Sequence, residues 1–169
     1  SHRTAFRTEW INRAVAEVAG FLVLVPPEWF RCFHAAHHRF TQDPARDPEL
    51  ATPEPRTLRQ YLVHLSGLPL WRWSWRTLAV NALGRCTDAF VPAASKRRVA
   101  REARQLLAGY GLLLAGSLAL RTDLLWWVWV LPALLGQPFL RAYLMAEHGR
   151  CPHVADMLAN SRTTFTTAL

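Results

Sequence analysis

Acidic residues are scarce in this chain, and so is charge altogether. Of 169 residues, 12 are Asp or Glu against 20 Lys or Arg, and charged residues make up 19%, below the roughly 25% of an average soluble domain. With an apolar share of 51%, that deficit argues against a disordered chain and against an acidic cytosolic enzyme. Cysteine is sparse too. Cys32, Cys86 and Cys151 lie far apart, are odd in number and form no CxxC pair. A disulfide scaffold or a cysteine-only zinc module is therefore not expected, and a reducing compartment is the default. Neither an initiating Met nor a basic, apolar, small-residue leader pattern opens the chain. Ser1-His2 reads as the inside of a longer protein.

The length predicts one domain. The net charge of +8 and the eight Trp leave two readings, a nucleic-acid binder or a membrane protein with basic flanks. Nucleic-acid binding needs stacking aromatics set in a basic surface. Here the aromatics lie inside apolar runs, and Trp collects at membrane interfaces. We therefore expect no nucleic-acid partner, and an all-α integral membrane bundle with interfacial helices and one transmembrane hairpin.

Residues 9–25 place Trp10, Ile11, Ala14, Val15, Val18, Ala19, Leu22 and Val23 at helical spacing until Pro26-Pro27 stops them. This helix is too short to span a bilayer, which takes about 20 residues. Residues 28–40 hold neither Gly nor Pro and predict another helix, and the proline-rich stretch 41–56 predicts a loop. In 57–83, Leu and Trp mix with Arg, which suits the membrane plane with Arg72 and Arg76 near lipid headgroups. A basic run, 96–104, then precedes two uncharged stretches, Leu106–Leu120 and Leu124–Leu140, joined by Arg121-Thr122-Asp123. The first measures roughly 24 Å as helix; the second is long enough to cross. Lys96, Arg97, Arg98, Arg101, Arg104 and Arg141 flank the pair, and only Arg121 sits in the turn. The positive-inside rule places both ends in the cytoplasm. A buried core pair in a soluble protein is the competing reading. The chain thus divides into 1–56, which carries the histidine cluster, 57–104 (interfacial helices and basic segment), 105–143 (hairpin) and 144–169 (cytoplasmic tail with His148).

Three of the seven histidines form one cluster, His34-Ala-Ala-His37-His38. On a helix, positions i, i+3 and i+4 share a face, so three imidazoles are expected to converge within one turn. Imidazole suits iron, zinc and copper; a solvated histidine-rich turn is the plainer alternative. The topology keeps His2, the cluster and His148 in one compartment, with His153 near enough to join them. His64 reads as structural. Asp43, Asp47 and Asp156 are candidate acceptors for the second N–H of metal-bound histidines, although each alone is more often a loop charge or cap.

These segments resemble the membrane-bound fatty acid desaturase family, the histidine-box oxidoreductases. His34-Ala-Ala-His37-His38 with Arg39-Phe40-Thr41-Gln42-Asp43-Pro44 matches the family's second box, HxxHH. Ser1-His2-Arg3-Thr4-Ala5-Phe6 is similar to the tail of its first box. Met145-Ala146-Glu147-His148, Cys151-Pro152-His153, Asp156-Met157-Leu158 and Ser161-Arg162-Thr163-Thr164 are similar to the segment after its last hairpin. A third box is lacking, since no histidine follows His153, which reads as an internal fragment that is inactive alone. The resemblance implies a di-iron site with His2, His34, His37, His38, His148 and His153 as ligands, dioxygen as co-substrate, and a ferredoxin or cytochrome-type electron donor. It also implies a fatty acyl lipid substrate and a bacterial inner-membrane enzyme whose site faces the cytoplasm. A hydroxylase or ketolase of the same superfamily acting on an alkane, sterol or carotenoid, and a non-catalytic zinc-binding membrane protein, are the alternatives.

Overall fold

Proline and threonine punctuate a chain of helices. The computed structural model describes residues 5–52 and 55–148, together with Pro152, Val154 and Asp156, and among these there is no strand. Helix α1 spans Glu9–Leu22. Leu24 then takes a left-handed backbone (φ 60°) and turns its side chain into the core, where it is buried. Pro27 does more than end α1. It is the first residue of α2, Pro27–Phe40, where its missing N–H has no helical acceptor to lose and its fixed φ suits the first turn. A 3-10 turn, Pro48–Ala51, lies inside the proline-rich loop. Helix α3, Leu58–Leu65, opens on a capping box between Thr57 and Gln60. Helix α4 spans Leu68–Ala82 and α5 spans Ala93–Ala119. A π-helical turn, Trp126–Val130, leads into α6, Leu131–His148.

The packed core lies where α2 and α4 meet the first half of α5. One cluster joins Trp29, Cys32, Cys86, Val91 and Val99, and a second joins Leu24, Leu78, Ala103 and Leu106. Both described cysteines are buried free thiols. Burial raises each thiol above its ordinary range, as expected of inert core cysteines. The basic run belongs to this packing, because Val99 and Ala103 alternate with its arginines and are fully buried. Its charges serve as caps. Glu102 accepts the Glu28 N–H at 2.7 Å, closing the start of α2, while Arg98 Nε binds the other Glu102 oxygen at 2.8 Å. Arg104 donates to the Ala82 carbonyl at the end of α4 (2.7 Å). Helix ends leave such groups without intrahelical partners, so these charges hold three helices in register.

The hairpin differs from the expected one at its ends. Its first arm is a single helix from Ala93, basic run included, and its second continues past Leu140 to His148. The turn sits at the expected polar residues, with Arg121 left-handed (φ 49°). The arms meet where Tyr110 and Trp129 stand 5.5 Å apart, and a third element joins them there: Phe21 of α1 contacts Tyr110 and Trp129, with ring centroids 4.6 and 5.5 Å away. Tyr110 Oη donates to the Phe21 carbonyl (2.7 Å) and Trp129 Nε1 to that of Leu22 (3.0 Å). Beyond this junction the end of α5 and much of α6 are bare, with Leu112 75% and Phe139 79% exposed. Among the described residues one helix, Trp126–Ala146, is long and apolar enough to cross a membrane, and almost none of it is buried inside the protein. Helix α3 packs against α6. Gly67, between α3 and α4, makes that approach possible: its φ is +71°, and a Cβ there would lie 2.7 Å from Gln137 Cγ.

Candidate metal centre

Helix α2 presents its histidines at its C-terminal end, and they separate into two groups. His34 and His38, one turn apart, stand edge to face with ring centroids 4.3 Å apart. Their Nε2 atoms approach to 3.0 Å. Phe30, one turn earlier, stacks on His34 at 5.5 Å and backs the pair. His37 takes a different course. Its ring stays near His38, with centroids 5.7 Å apart, but its Nδ1 turns to two carboxylates, 2.9 Å from Glu49 Oε2 and 3.0 Å from Asp47 Oδ1. The i+3 position turns that ring toward the following loop, so two imidazole nitrogens converge where the spacing predicts three.

The loop's fold explains the carboxylates. Gln42 is left-handed (φ 62°) and reverses the chain directly after α2. Asp47 then sits at the N-cap of the 3-10 turn and is saturated. It accepts the Gln42 N–H (2.8 Å), the Glu49 N–H (3.0 Å) and His37 Nδ1–H, with its side chain wholly buried. The His37 ring is buried too. The Glu49 hydrogen bond, aided by Asp47 and opposed by burial, pushes the His37 pKa up to about 9. Thr41 Oγ1 donates to the His37 carbonyl (2.7 Å) and finishes the helix end.

The C-terminal half of the second hairpin arm reaches the same place. Arg141 of α6 is close enough to Glu49 for their charges to interact, and His64 of α3 feels Arg141 as well. Burial, with that cation, holds the His64 imidazole below its ordinary pKa. Gln137 Oε1 and Arg141 Nε, one turn apart on α6, are buried without a hydrogen-bond partner among the described residues. His148 ends α6 two turns after Arg141.

The other expected residues fall elsewhere. Asp43 closes its own loop, accepting the Ala45 N–H (2.9 Å) and pairing with Arg46 (2.7 Å). Those two contacts hold its carboxyl below the usual range, and both tie it to its own loop rather than to the histidines. Asp156 is exposed in the tail. His2 and His153 lie outside the described residues, as does the side chain of His148. Sequence reasoning overlooked Glu49 and Arg141. Asp47-Pro48-Glu49 carried a usable signal, since Asp before Pro marks the start of a helical turn and puts the next acid in its first turn.

The donor set suits a transition metal. Two nitrogens bound cis to one ion at ~2.1 Å would stand about 3.0 Å apart, the His34–His38 separation; one neutral ring donating to the other gives the same distance. His37, with Nδ1 anchored on carboxylates, is left with Nε2 as its ligand atom, the tautomer found in carboxylate–histidine–metal arrangements. His37, Asp47 and Glu49 also form a group of three ligand atoms within 4.8 Å of one another. Asp47 already accepts three hydrogen bonds, so we read it as a support rather than a ligand. A family model described as fatty acid desaturase matches residues 1–168. No curated protein and no solved structure matches the chain.

Proposed function

The chain belongs to the fatty acid desaturase family, and from that premise we propose that it is an oxygen-dependent membrane oxidoreductase introducing a double bond into a fatty acyl chain. One observation carries this reading to the residues: an HxxHH segment, in a chain matched to the family along its length, brings two Nε2 atoms within 3.0 Å and ties the third ring to buried carboxylates. His34, His37 and His38 hold iron in this reading, with His2, His148 and His153 as further ligands. Two irons with dioxygen supply, when bound, the oxidising power that an unactivated C–H bond demands and that side chains lack. The chain's own residues do the rest. Asp47 and Glu49 keep the proton of His37 on Nδ1 and so direct Nε2 outward. Phe30 fixes the rotation of His34. In this reading the bare leucines of α5 and α6 lie among acyl chains, where the substrate is found. Electrons come from a ferredoxin or cytochrome-type donor. The enzyme lies in a bacterial inner membrane with its metal centre on the cytoplasmic side, the side of Lys96–Arg104.

The test is His37→Ala in the whole protein, expressed in a host without desaturases. Iron content and the double bonds of total fatty acids are both expected to be lost, while His64→Ala keeps most of each. Equal iron and equal unsaturation in wild type and His37→Ala would end the metal reading. Hydroxylated rather than unsaturated product would move the enzyme to the sister chemistry.

A further inference from the structure

The α3–α4 corner carries a feature the metal centre does not use. Between Arg56 and Arg85 the chain has five arginines, Arg56, Arg59, Arg72, Arg76 and Arg85, and no acidic residue. Two of them, Arg72 and Arg76, lie one turn apart on α4 and line a groove of about 550 Å³ together with Val63, Leu68, Pro69 and Trp73. Both arginines are exposed, and neither has an ion pair or hydrogen bond among the described residues. The groove has two chemistries side by side: a pair of unneutralised guanidiniums, and an apolar wall on which Val63 is 47%, Leu68 65% and Trp73 41% exposed. The wall is firmly seated. Trp73 packs edge to face on Trp29 at 5.2 Å, and Trp29 is a core residue whose Nε1 is bonded to Asp88 at 2.7 Å.

We propose that this groove binds the phosphate headgroup of an anionic phospholipid, with the first carbons of its chains against Val63, Leu68 and Trp73. A free phosphate would use only the guanidiniums, and a zwitterionic headgroup would bring its own cation to two arginines. An anionic lipid satisfies both halves. Guanidinium pairs present donors in the forked geometry that phosphate oxygens accept, and interfacial basic clusters favour anionic lipids. The inference rests on the membrane placement proposed above and deepens it: α3 and α4 become a headgroup clamp that fixes the depth of the core carrying α2 and its histidines.

The test titrates the purified whole protein in a non-ionic detergent with dihexanoyl phosphatidylglycerol, dihexanoyl phosphatidylcholine and inorganic phosphate, read by calorimetry. Saturable binding is expected for phosphatidylglycerol alone. The double variant Arg72→Gln, Arg76→Gln is expected to weaken it about 30-fold, ~fivefold for each guanidinium near an anionic surface, with circular dichroism unchanged. Arg72→Lys, Arg76→Lys, which keeps the charge, is expected to retain most of the affinity and covers the case where the Gln variant unfolds. Equal binding of the two lipids, phosphate binding as tight as lipid, or wild-type affinity in a folded Gln variant would overturn the proposal. Failure of the membrane placement shows separately, as release of the protein from membranes by high salt without detergent.

Discussion

Helix α5 contains two different molecules in one rod. In its first half Val99 and Ala103 have no exposed surface, and Arg98, Glu102 and Arg104 spend their charges on the ends of α2 and α4. In its second half Leu112, Leu114 and Leu118 stand more than half exposed, with no charge between Gln105 and Leu120. The first half is built like the core of a soluble protein, where buried charges must be paired and hydrogen-bonded. Beyond Tyr110 the second half has the composition of a core but little protein around it among the described residues. A surface of that kind needs a different solvent, and hydrocarbon asks nothing of a helix whose backbone bonds are all internal. Helix α2, which carries His34, His37 and His38, packs against the first half.

Substitutions can break this contrast from either side. The largest effect is expected for Asp47→Ala, which leaves the Gln42 and Glu49 amides and the His37 ring without their buried acceptor. Unsatisfied buried donors cost ~1–3 kcal/mol each, so chemical denaturation should show a loss of about 3 kcal/mol, and iron affinity should fall ~10- to 100-fold through the misoriented ring. A similar magnitude of opposite character is expected from Leu135→Asp, at the middle of the one helix long and apolar enough to cross a membrane and 63% exposed. It removes little protein contact but adds ~3 kcal/mol to membrane insertion. Carbonate extraction should release this variant and not Asp47→Ala; retention of both would mean that the bare half does not face lipid. Gly67→Ala probes the contact of the α3–α4 corner with α6. It forces an L-residue to φ +71° against Gln137, at a cost of about 1–2 kcal/mol, read as a lower melting temperature.

The smallest effect is a pH slope. The two carboxylates raise the His37 pKa from about 6.5 to about 9. The stability it contributes in the metal-free protein is therefore complete below about 6.5 and is lost as pH rises through about 9. Urea midpoints of metal-stripped protein should fall across that window, and Glu49→Gln should flatten the fall. Metal binding should improve over the same range, since the ligand ring must give up a proton.

Much of this was legible in the sequence because it follows from local spacing. The helix over 28–40, the polar turn at Arg121–Asp123 and the pairing of His34 with His38 need only the helical repeat. The basic run was legible as charge but not as architecture: a solvent-exposed flank and a set of helix caps have the same composition, and only the position of Glu28 and of the Ala82 carbonyl tells them apart. The turn of His37 was hidden for another reason. It depends on a left-handed Gln42, a conformation that glycine or asparagine would have announced. Glu49 and Arg141 come close enough for their charges to interact across 91 intervening positions, a distance no periodicity spans.

Pro132 cannot donate to a carbonyl four residues back, and its ring crowds that carbonyl; the turn just before it, Trp126–Val130, widens to the π form. Such a turn holds one residue more than the regular ladder. Winding the same residues as regular helix, with none removed, would swing everything beyond the turn by about 100° around the axis. Gln137 would leave Gly67, and Arg141 would leave Glu49. A single surplus residue in a tryptophan-rich stretch therefore sets the rotational phase of the arm that ends at His148.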